Sequence, residues 1–215
     1  MNVIVTGTAS GIGEAIARKF LEEGHDVFGL DIRAGAIDHP RYSHVIHDIR
    51  WDTAPDVPPP EILINNAGTL EERDAIDVNL RGTMGFTRHF LESPDLRSIL
   101  FIASASARNG AEFPCYVASK AGLVGYMKNL ALSAAKRGIT CNSISPGGVI
   151  TPANRHILED ERLYTAVKAE TLLGKWAAAE EIAELAYYLT VVNRSITGED
   201  ILIDNGEMLK SNFIW

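Results

Sequence analysis

Apolar and polar positions along the chain fall into short runs that switch between two periods. The first run, Asn2-Val3-Ile4-Val5, leads into the polar, glycine-rich stretch Thr6-Gly7-Thr8-Ala9-Ser10-Gly11-Ile12-Gly13. Helical spacing follows at Ala15, Ile16, Phe20 and Leu21 and stops at Gly24, after which Val27-Phe28-Gly29-Leu30 ends in Asp31. Continuous apolar runs bounded by turn residues predict buried strands, and spacings of three and four predict helices. Further strands are expected over Tyr42–His47, Glu61–Ile64, Ser98–Ile102, Ile139–Ile144 and Asp200–Ile203. Helices are expected over Ala75–Leu91, Tyr116–Lys136, His156–Leu172 and Glu180–Leu189. The alternation predicts an α/β fold, a doubly wound (Rossmann) parallel sheet of about seven strands between two helix layers. The whole of 1–215 reads as one domain without internal repeats.

One crossover breaks the rhythm. Between Asp48 and Ile62 the chain carries Pro55, Pro58, Pro59 and Pro60. Prolines at that density forbid a regular helix, so this connection reads as a stiff, polyproline-like strap with no function of its own.

Composition narrows the partners. The 215 residues are 46% hydrophobic, enough for a substantial core, and carry a net charge of −8. An acidic chain without a basic run argues against nucleic acid and anionic membrane. No apolar run approaches a bilayer span, and the first residues already read as strand with no secretion signal before them. Cys115 and Cys141 are too few and isolated for a disulfide framework, which points to a reducing cytoplasm. His44 and His47 sit three apart in a strand pattern and so point to opposite faces; no metal site is expected.

In a doubly wound sheet, ligands bind beyond the carboxyl ends of the strands. Those ends are Gly7–Gly13, Asp31, Asp48, Asn65–Gly68, Ser104 and Pro146–Thr151, all rich in Gly, Ser, Asn, Asp or Thr. A strand, a glycine-rich turn and a helix N-terminus suit a pyrophosphate, and an acid at the next strand tip suits an adenine ribose. Tyr116 and Lys120 are four apart on a helical pattern and share a face. A phenol titrates near pH 10, and a neighbouring ammonium favours its phenolate, so the pair is a plausible acid–base couple. Ser104 could polarise a substrate oxygen beside Tyr116, or simply cap the loop Ala105–Glu112. Asn79 lies mid-helix, where asparagine is locally unfavourable, which hints at a packing or relay role.

Together these motifs resemble the short-chain dehydrogenase/reductase family over nearly the whole chain. Thr6-Gly7-x-x-x-Gly11-Ile12-Gly13 resembles its cofactor loop and Asn65-Asn66-Ala67-Gly68 its fourth-strand motif. Ser104, Tyr116-x-x-x-Lys120 and Asn79 resemble its catalytic serine, tyrosine, lysine and asparagine. Pro146-Gly147-Gly148-Val149-Ile150-Thr151-Pro152 resembles the segment that holds the nicotinamide amide, and Ile196–Gly206 the last-strand signature. The resemblance implies hydride transfer between NAD(H) and a secondary alcohol or ketone, with Tyr116 as acid or base. Lys120 would lower the phenol's pKa and hold the nicotinamide ribose, Ser104 would bond the reacting oxygen, and Asn79 would hold a water linking Lys120 to solvent. Gly7, Ser10, Gly11, Ile12, Gly13, Asp31, Asp48, Asn66, Ala67, Gly68, Pro146, Gly147, Val149 and Thr151 would complete the cofactor site, with Asp48 facing the adenine amino group. Asp31 would repel a 2′-phosphate, favouring NAD over NADP, and Arg33 stands close enough to soften that repulsion.

The chain departs from the family at the strap, at the short segment Thr69–Val78 before Asn79, and between Ser104 and Tyr116, which is one residue shorter than usual. Thr151–Lys175 is the expected substrate lid; its charges at Arg155, His156, Arg162 and Lys168 read as a solvated face. The apolar tail Asn212–Trp215 suggests packing on a neighbouring subunit, as in the family's usual dimers and tetramers. The rival reading is a non-catalytic NAD(H)-binding regulator on the same fold. A nucleotide-sugar epimerase also uses Tyr-x-x-x-Lys but needs a larger C-terminal substrate domain.

Overall fold

The structure is a computed structural model and describes residues 1–51 and 53–210, so the tail Asn212–Trp215 lies outside the described residues. The chain opens with β1 (Asn2–Thr6), α1 (Gly11–Glu22) and β2 (Asp26–Asp31), followed by β3 (Tyr42–Ile46) and β4 (Ile62–Asn65). No regular element covers 53–60, and Val57 packs against the core there, so the strap is irregular as expected. A π-helical stretch, Ile76–Gly82, runs into α2 (Thr83–Phe90). Next come β5 (Ser98–Ile102), a four-residue α3 (Ser106–Asn109), α4 (Pro114–Ala134) and β6 (Thr140–Pro146). The remainder holds β7 (Val149–Ile150), α5 (Arg155–Leu158), α6 (Glu161–Ala169), β8 (Ala177–Ala178), α7 (Ala179–Tyr187) and β9 (Asp200–Ile203).

The main sheet has seven strands in the order β3-β2-β1-β4-β5-β6-β9, every pair parallel. The order reverses at β1, where Val5 pairs Gly29 on one side and Ile64 on the other. That reversal opens a crevice at the carboxyl ends of β1 and β4. A strand covered on both faces must be apolar on both, and β1 shows it: Val3, Ile4 and Val5 are all fully buried. Val3 and Val5 pack with Ile16 and Phe20 of α1 and Ile182 of α7, whereas Ile4 packs with Phe86, Phe90 and Met127 on the opposite face. The doubly wound, three-layer architecture read from the sequence is therefore the one present.

Three helices differ from the sequence pattern, the mildest being Glu180–Leu189, where α7 passes into a π-helical turn over Tyr188–Val192. Ala75–Leu91 is not one α-helix, because its first part is π-helical. Side-chain spacing reports which face is apolar, not how the backbone rings close. Asn79 within that stretch turns its amide to the backbone of Thr69 instead, accepting from the Thr69 N–H at 2.8 Å and donating to its carbonyl at 3.0 Å. His156–Leu172 is likewise divided, into α5 and α6, since Asp160 takes an extended backbone and accepts from the N–H groups of Arg162 and Leu163. An aspartate in that role starts a new helix rather than continuing an old one. The short pair β7–β8, which ties Val149 to Ala177, has too few residues to be legible as period-two alternation.

Glycine sets the entry to α1. Gly7 has φ +76°, and a Cβ at Gly13 would stand 2.1 Å from the Gly7 carbonyl and 2.4 Å from Asn66 Nδ2. Asn66 Nδ2 donates to that same carbonyl and to the Thr6 carbonyl, so the turn cannot simply move aside. Gly13→Ala is expected to cost about 1–3 kcal/mol through overpacking, lowering the thermal midpoint by several degrees. A thermal melt of the variant coinciding with wild type would contradict that reading of the turn.

Candidate active site

The carboxyl ends of β1, β2, β4, β5 and β6 surround a cleft of about 1070 Å³. At one end stands the N-terminus of α1. Ser10 precedes it in an extended conformation and makes no side-chain cap, its hydroxyl accepting instead from Arg33 Nη2 at 3.0 Å. The first-turn N–H groups of this twelve-residue helix therefore lack a cap from Ser10's side chain, and with the helix dipole behind them they suit an anion. Asp31, 7% exposed at the tip of β2, accepts from the backbone N–H of Ala9 at 3.0 Å and of Arg33 at 2.9 Å. These bonds fix the carboxylate and leave acceptor capacity for hydroxyl groups. The Arg33 guanidinium also reaches Asp31, at 3.4 Å, and so bridges Asp31 to Ser10 across the mouth of this pocket. Leu30, Ile32 and Ile49 supply apolar walls.

Asp48 lines the same end, but its carboxylate is held by Arg50 through Nε and through Nη2 at 2.6 Å. That bidentate pair, with the Arg50 backbone N–H, keeps the Asp48 carboxyl below its ordinary pKa. Asp48 is thus committed to Arg50, a partner two residues on whose role the strand pattern did not reveal.

At the other end, α4 begins at Pro114, whose fixed φ and missing N–H suit a first helical position. Its first turns carry Tyr116 and Lys120 on one face, with Lys120 Nζ 5.8 Å from the phenol ring centre. Lys120 is 5% exposed, and its ammonium donates to the Ile102 carbonyl at 2.8 Å. Burial lowers its pKa from 10.5 to about 8. Tyr116 lines the cleft beside Ser104, just past the end of β5, and burial pushes its phenol up to about 12, a rise that the Ser104 hydroxyl opposes. Desolvation is the largest cause of both displacements, and in the cleft as it stands it carries the phenol opposite to the direction expected of a neighbouring ammonium. Ser104 Oγ also accepts from the hydroxyl of Ser106 at 2.7 Å and from its N–H at 3.2 Å, so Ser104 does cap its own loop as well as meeting Tyr116.

Gly13 and Asn79 are not on the cleft wall. Gly13 packs behind the turn, and Asn79, 1% exposed, is bonded to Thr69 and to Ser119 Oγ at 3.0 Å. A Cβ at Gly68 would lie 3.1 Å from Asn79 Oδ1 and 3.4 Å from Lys120 Nζ, so Asn79 forms the floor beside Lys120. The other nominated residues, from Gly7 to Thr151, line the cleft together. From the lid come Asn154, Ile157, Val167 and Glu170, while the basic residues turn elsewhere. Arg155 pairs with Glu159 at 3.1 Å on an exposed helix turn, in keeping with a solvated face. Ser106, Glu112 and Glu207 also line the cleft and were not singled out by motif; the only hint was the spacing Ser104-x-Ser106.

Residues 61–207 match the family profile described as enoyl-(acyl carrier protein) reductase. The chain is 30% identical to the short chain dehydrogenase adrF of Penicillium roqueforti over 245 aligned positions, covering 94% of this chain and 95% of that protein. The chain belongs to the short-chain dehydrogenase/reductase family. This family is one of nicotinamide-dependent oxidoreductases that transfer hydride. A second member, the L-rhamnose 1-dehydrogenase (NADP(+)) of Thermoplasma acidophilum, is 26% identical over 97% of this chain and 96% of its own length. The solved 4-hydroxyisoleucine dehydrogenase complexed with NADH superposes with a TM-score of 0.86 at 28% identity, covering 98% of this chain and 99% of that one. Relatives within the family thus carry either nicotinamide dinucleotide. Among the described residues of this family member, no helix is long and apolar enough to cross a membrane.

Proposed function

We propose that this chain is an NAD(H)-dependent oxidoreductase acting on a secondary alcohol/ketone pair, with Tyr116 as its acid and base. The observation that carries the reading is the meeting of Ser104, Tyr116 and Lys120 at one end of a cleft whose other end is a glycine turn, a free helix N-terminus and Asp31. Those residues fit a dinucleotide: Gly7 and Gly11 admit the pyrophosphate, Asp31 the adenine ribose, and Pro146, Gly147, Val149 and Thr151 the nicotinamide end. When bound, the nicotinamide supplies or accepts the hydride. Tyr116 donates the proton to a carbonyl oxygen, or removes it from an alcohol. Ser104 bonds that oxygen as charge develops on it. Lys120 supplies a positive charge that favours the phenolate and a donor for ribose hydroxyls. Asn79 holds Thr69 and the floor beside Lys120 in place rather than touching the reacting atoms. Because the phenol must lose its proton for oxidation, alcohol oxidation should rise with pH through the alkaline range while ketone reduction falls.

The preference for NAD rests on Asp31. Its carboxylate repels a 2′-phosphate, yet Arg33, bound to it and to Ser10, stands ready to pair with one. Asp31→Ala is expected to weaken NADH binding by roughly tenfold, the worth of hydrogen bonds to a charged group, and to raise NADPH affinity relative to NADH. Fluorescence titration of both nucleotides against the variant checks this, and an unchanged preference would remove Asp31 from the account. The enzyme reading itself is tested by screening secondary alcohols and ketones for Tyr116-dependent change in NADH. NADH binding without turnover on any of them would favour a non-catalytic regulator.

A further inference from the structure

The edge strand β3 carries a line of hydrogen bonds that stands behind the cleft wall. Tyr42 and His44 are two apart, so they share one face of the strand, with their ring centres 5.9 Å apart. Tyr42 Oη lies 3.0 Å from Thr8 Oγ1, in the glycine turn, and 2.8 Å from His44 Nδ1. His44 Nε2 lies 2.8 Å from the carbonyl oxygen of Arg33, in the loop that follows β2. Two glycines make room for this line. A Cβ at Gly29, inside β2, would stand 2.2 Å from Tyr42 Oη and 2.5 Å from Thr8 Oγ1. One at Gly35 would stand 2.5 Å from His44 Nδ1. Gly29 interrupts the apolar run of β2 because side chains approach its backbone closely there.

The direction of every bond is fixed from one end. A carbonyl only accepts, so His44 Nε2 carries the imidazole proton and donates to Arg33. Nδ1 of the neutral ring is then an acceptor, Tyr42 donates to it, and Thr8 donates to the Tyr42 oxygen. Each hydroxyl proton is used once. The Arg33 end of the line closes on the cleft. Its backbone N–H donates to Asp31 Oδ1 at 2.9 Å, and its guanidinium reaches Asp31 at 3.4 Å and donates to Ser10 Oγ at 3.0 Å. Thr8 and Ser10 stand two apart in one turn, so the line leaves the glycine turn and returns to it through Arg33.

We infer that His44 is a positioning residue that sets the choice of dinucleotide, holding the Arg33 main chain so that its guanidinium stays on Asp31 and Ser10. This inference rests on the proposed placing of the adenine ribose at Asp31. Arg33 is exposed, and no regular element covers 32–41, so no helix or sheet bond locates its carbonyl. With that carbonyl held, the guanidinium spends its donors on Asp31 and Ser10, and the ribose hydroxyls meet a fixed carboxylate. With it released, the guanidinium is free to turn to a 2′-phosphate, which arginine pairs with strongly and in a bidentate manner. Loss of the His44 bond therefore favours NADPH at the expense of NADH.

The test is fluorescence titration of NADH and NADPH against His44→Asn and His44→Gln, each made with and without Arg33→Ala, with a thermal melt of every variant. Asparagine offers Tyr42 an acceptor but is too short to reach Arg33; glutamine brings an amide donor to where Nε2 stands. His44→Asn is expected to lower the ratio of NADH to NADPH affinity roughly fivefold, the worth of one hydrogen bond. His44→Gln is expected to keep that ratio within about twofold of wild type. With Arg33→Ala in place, His44→Asn is expected to leave the ratio where it was, since there is no guanidinium to release. A merely structural histidine would weaken both dinucleotides alike and lower the melting temperature in step. That result, a shift in His44→Gln as large as in His44→Asn, or an undiminished shift beside Arg33→Ala would overturn the inference. Binding of neither dinucleotide by wild type, or an unchanged preference in Asp31→Ala, would instead overturn the reading beneath it.

Discussion

Tyr116→Phe is expected to lose at least about a hundredfold in kcat while binding NADH as tightly as wild type. The substitution deletes a single hydroxyl. The ring stays in its place at the head of α4, 5.8 Å from the Lys120 ammonium, and the glycine turn and Asp31 lie at the far end of the cleft. What goes is the proton that the reacting oxygen must gain or lose. Steady-state kinetics on any ketone that wild type reduces, paired with NADH fluorescence, separates chemistry from binding. Retained turnover would mean that Ser104 or a water carries the proton and that the phenol is only a wall of the pocket.

Lys120→Met is expected to cost activity and add stability at once. An ammonium that is 5% exposed is held at the expense of its hydration, which is why its pKa falls from 10.5 to about 8. That displacement corresponds to a cost of up to about 3 kcal/mol in the folded state, less what the bond to the Ile102 carbonyl returns. Below about pH 8 the folded and unfolded chains both carry the proton and the cost is constant. Between that value and 10.5 the unfolded chain binds more protons than the folded one, so wild-type stability rises with pH. The variant's lead in urea midpoint should therefore be largest at neutral pH and shrink toward about pH 10. Its turnover should fall roughly a hundredfold or more, since the phenolate loses its neighbouring charge. A less stable variant at neutral pH would show that the Ile102 bond outweighs the desolvation. A stabilising loss of function is the mark of a residue retained for chemistry rather than for folding.

Much of this site was legible in the sequence because strand ends are marked by composition. Where an apolar run gives way to Gly, Ser, Asn or Asp, the chain leaves the sheet, and the rim Gly7, Asp31, Asn66, Ser104 and Pro146 follows directly. The Tyr116–Lys120 pair was legible because helical spacing fixes which residues share a face. What stayed hidden depends on longer-range or non-periodic contacts. Nothing in Asp48's surroundings signals that Arg50 closes back on it, and a π-helical turn has the same side-chain pattern as an α-helix. Asn79 was rightly marked as misplaced in a helix, but its partners, Thr69 and Ser119, lie ten and forty residues away. The pKa of Tyr116 needed burial on both sides of the pair, which sequence spacing cannot supply. The shortened segments beside the clefts are consistent with an alignment to adrF of 245 positions, longer than this whole chain of 215 residues. The strap at 53–60 simply closes the gap that one of them leaves.

The most direct test of the account is a fluorescence titration of the purified chain with NADH and, in parallel, NADPH. Saturable binding of NADH, tighter than that of NADPH and displaced by NAD, is the result expected of a cleft built from the α1 N-terminus, Asp31 and the Tyr116–Lys120 pair. Binding of neither nucleotide would contradict the account at its first step, in the glycine turn between β1 and α1.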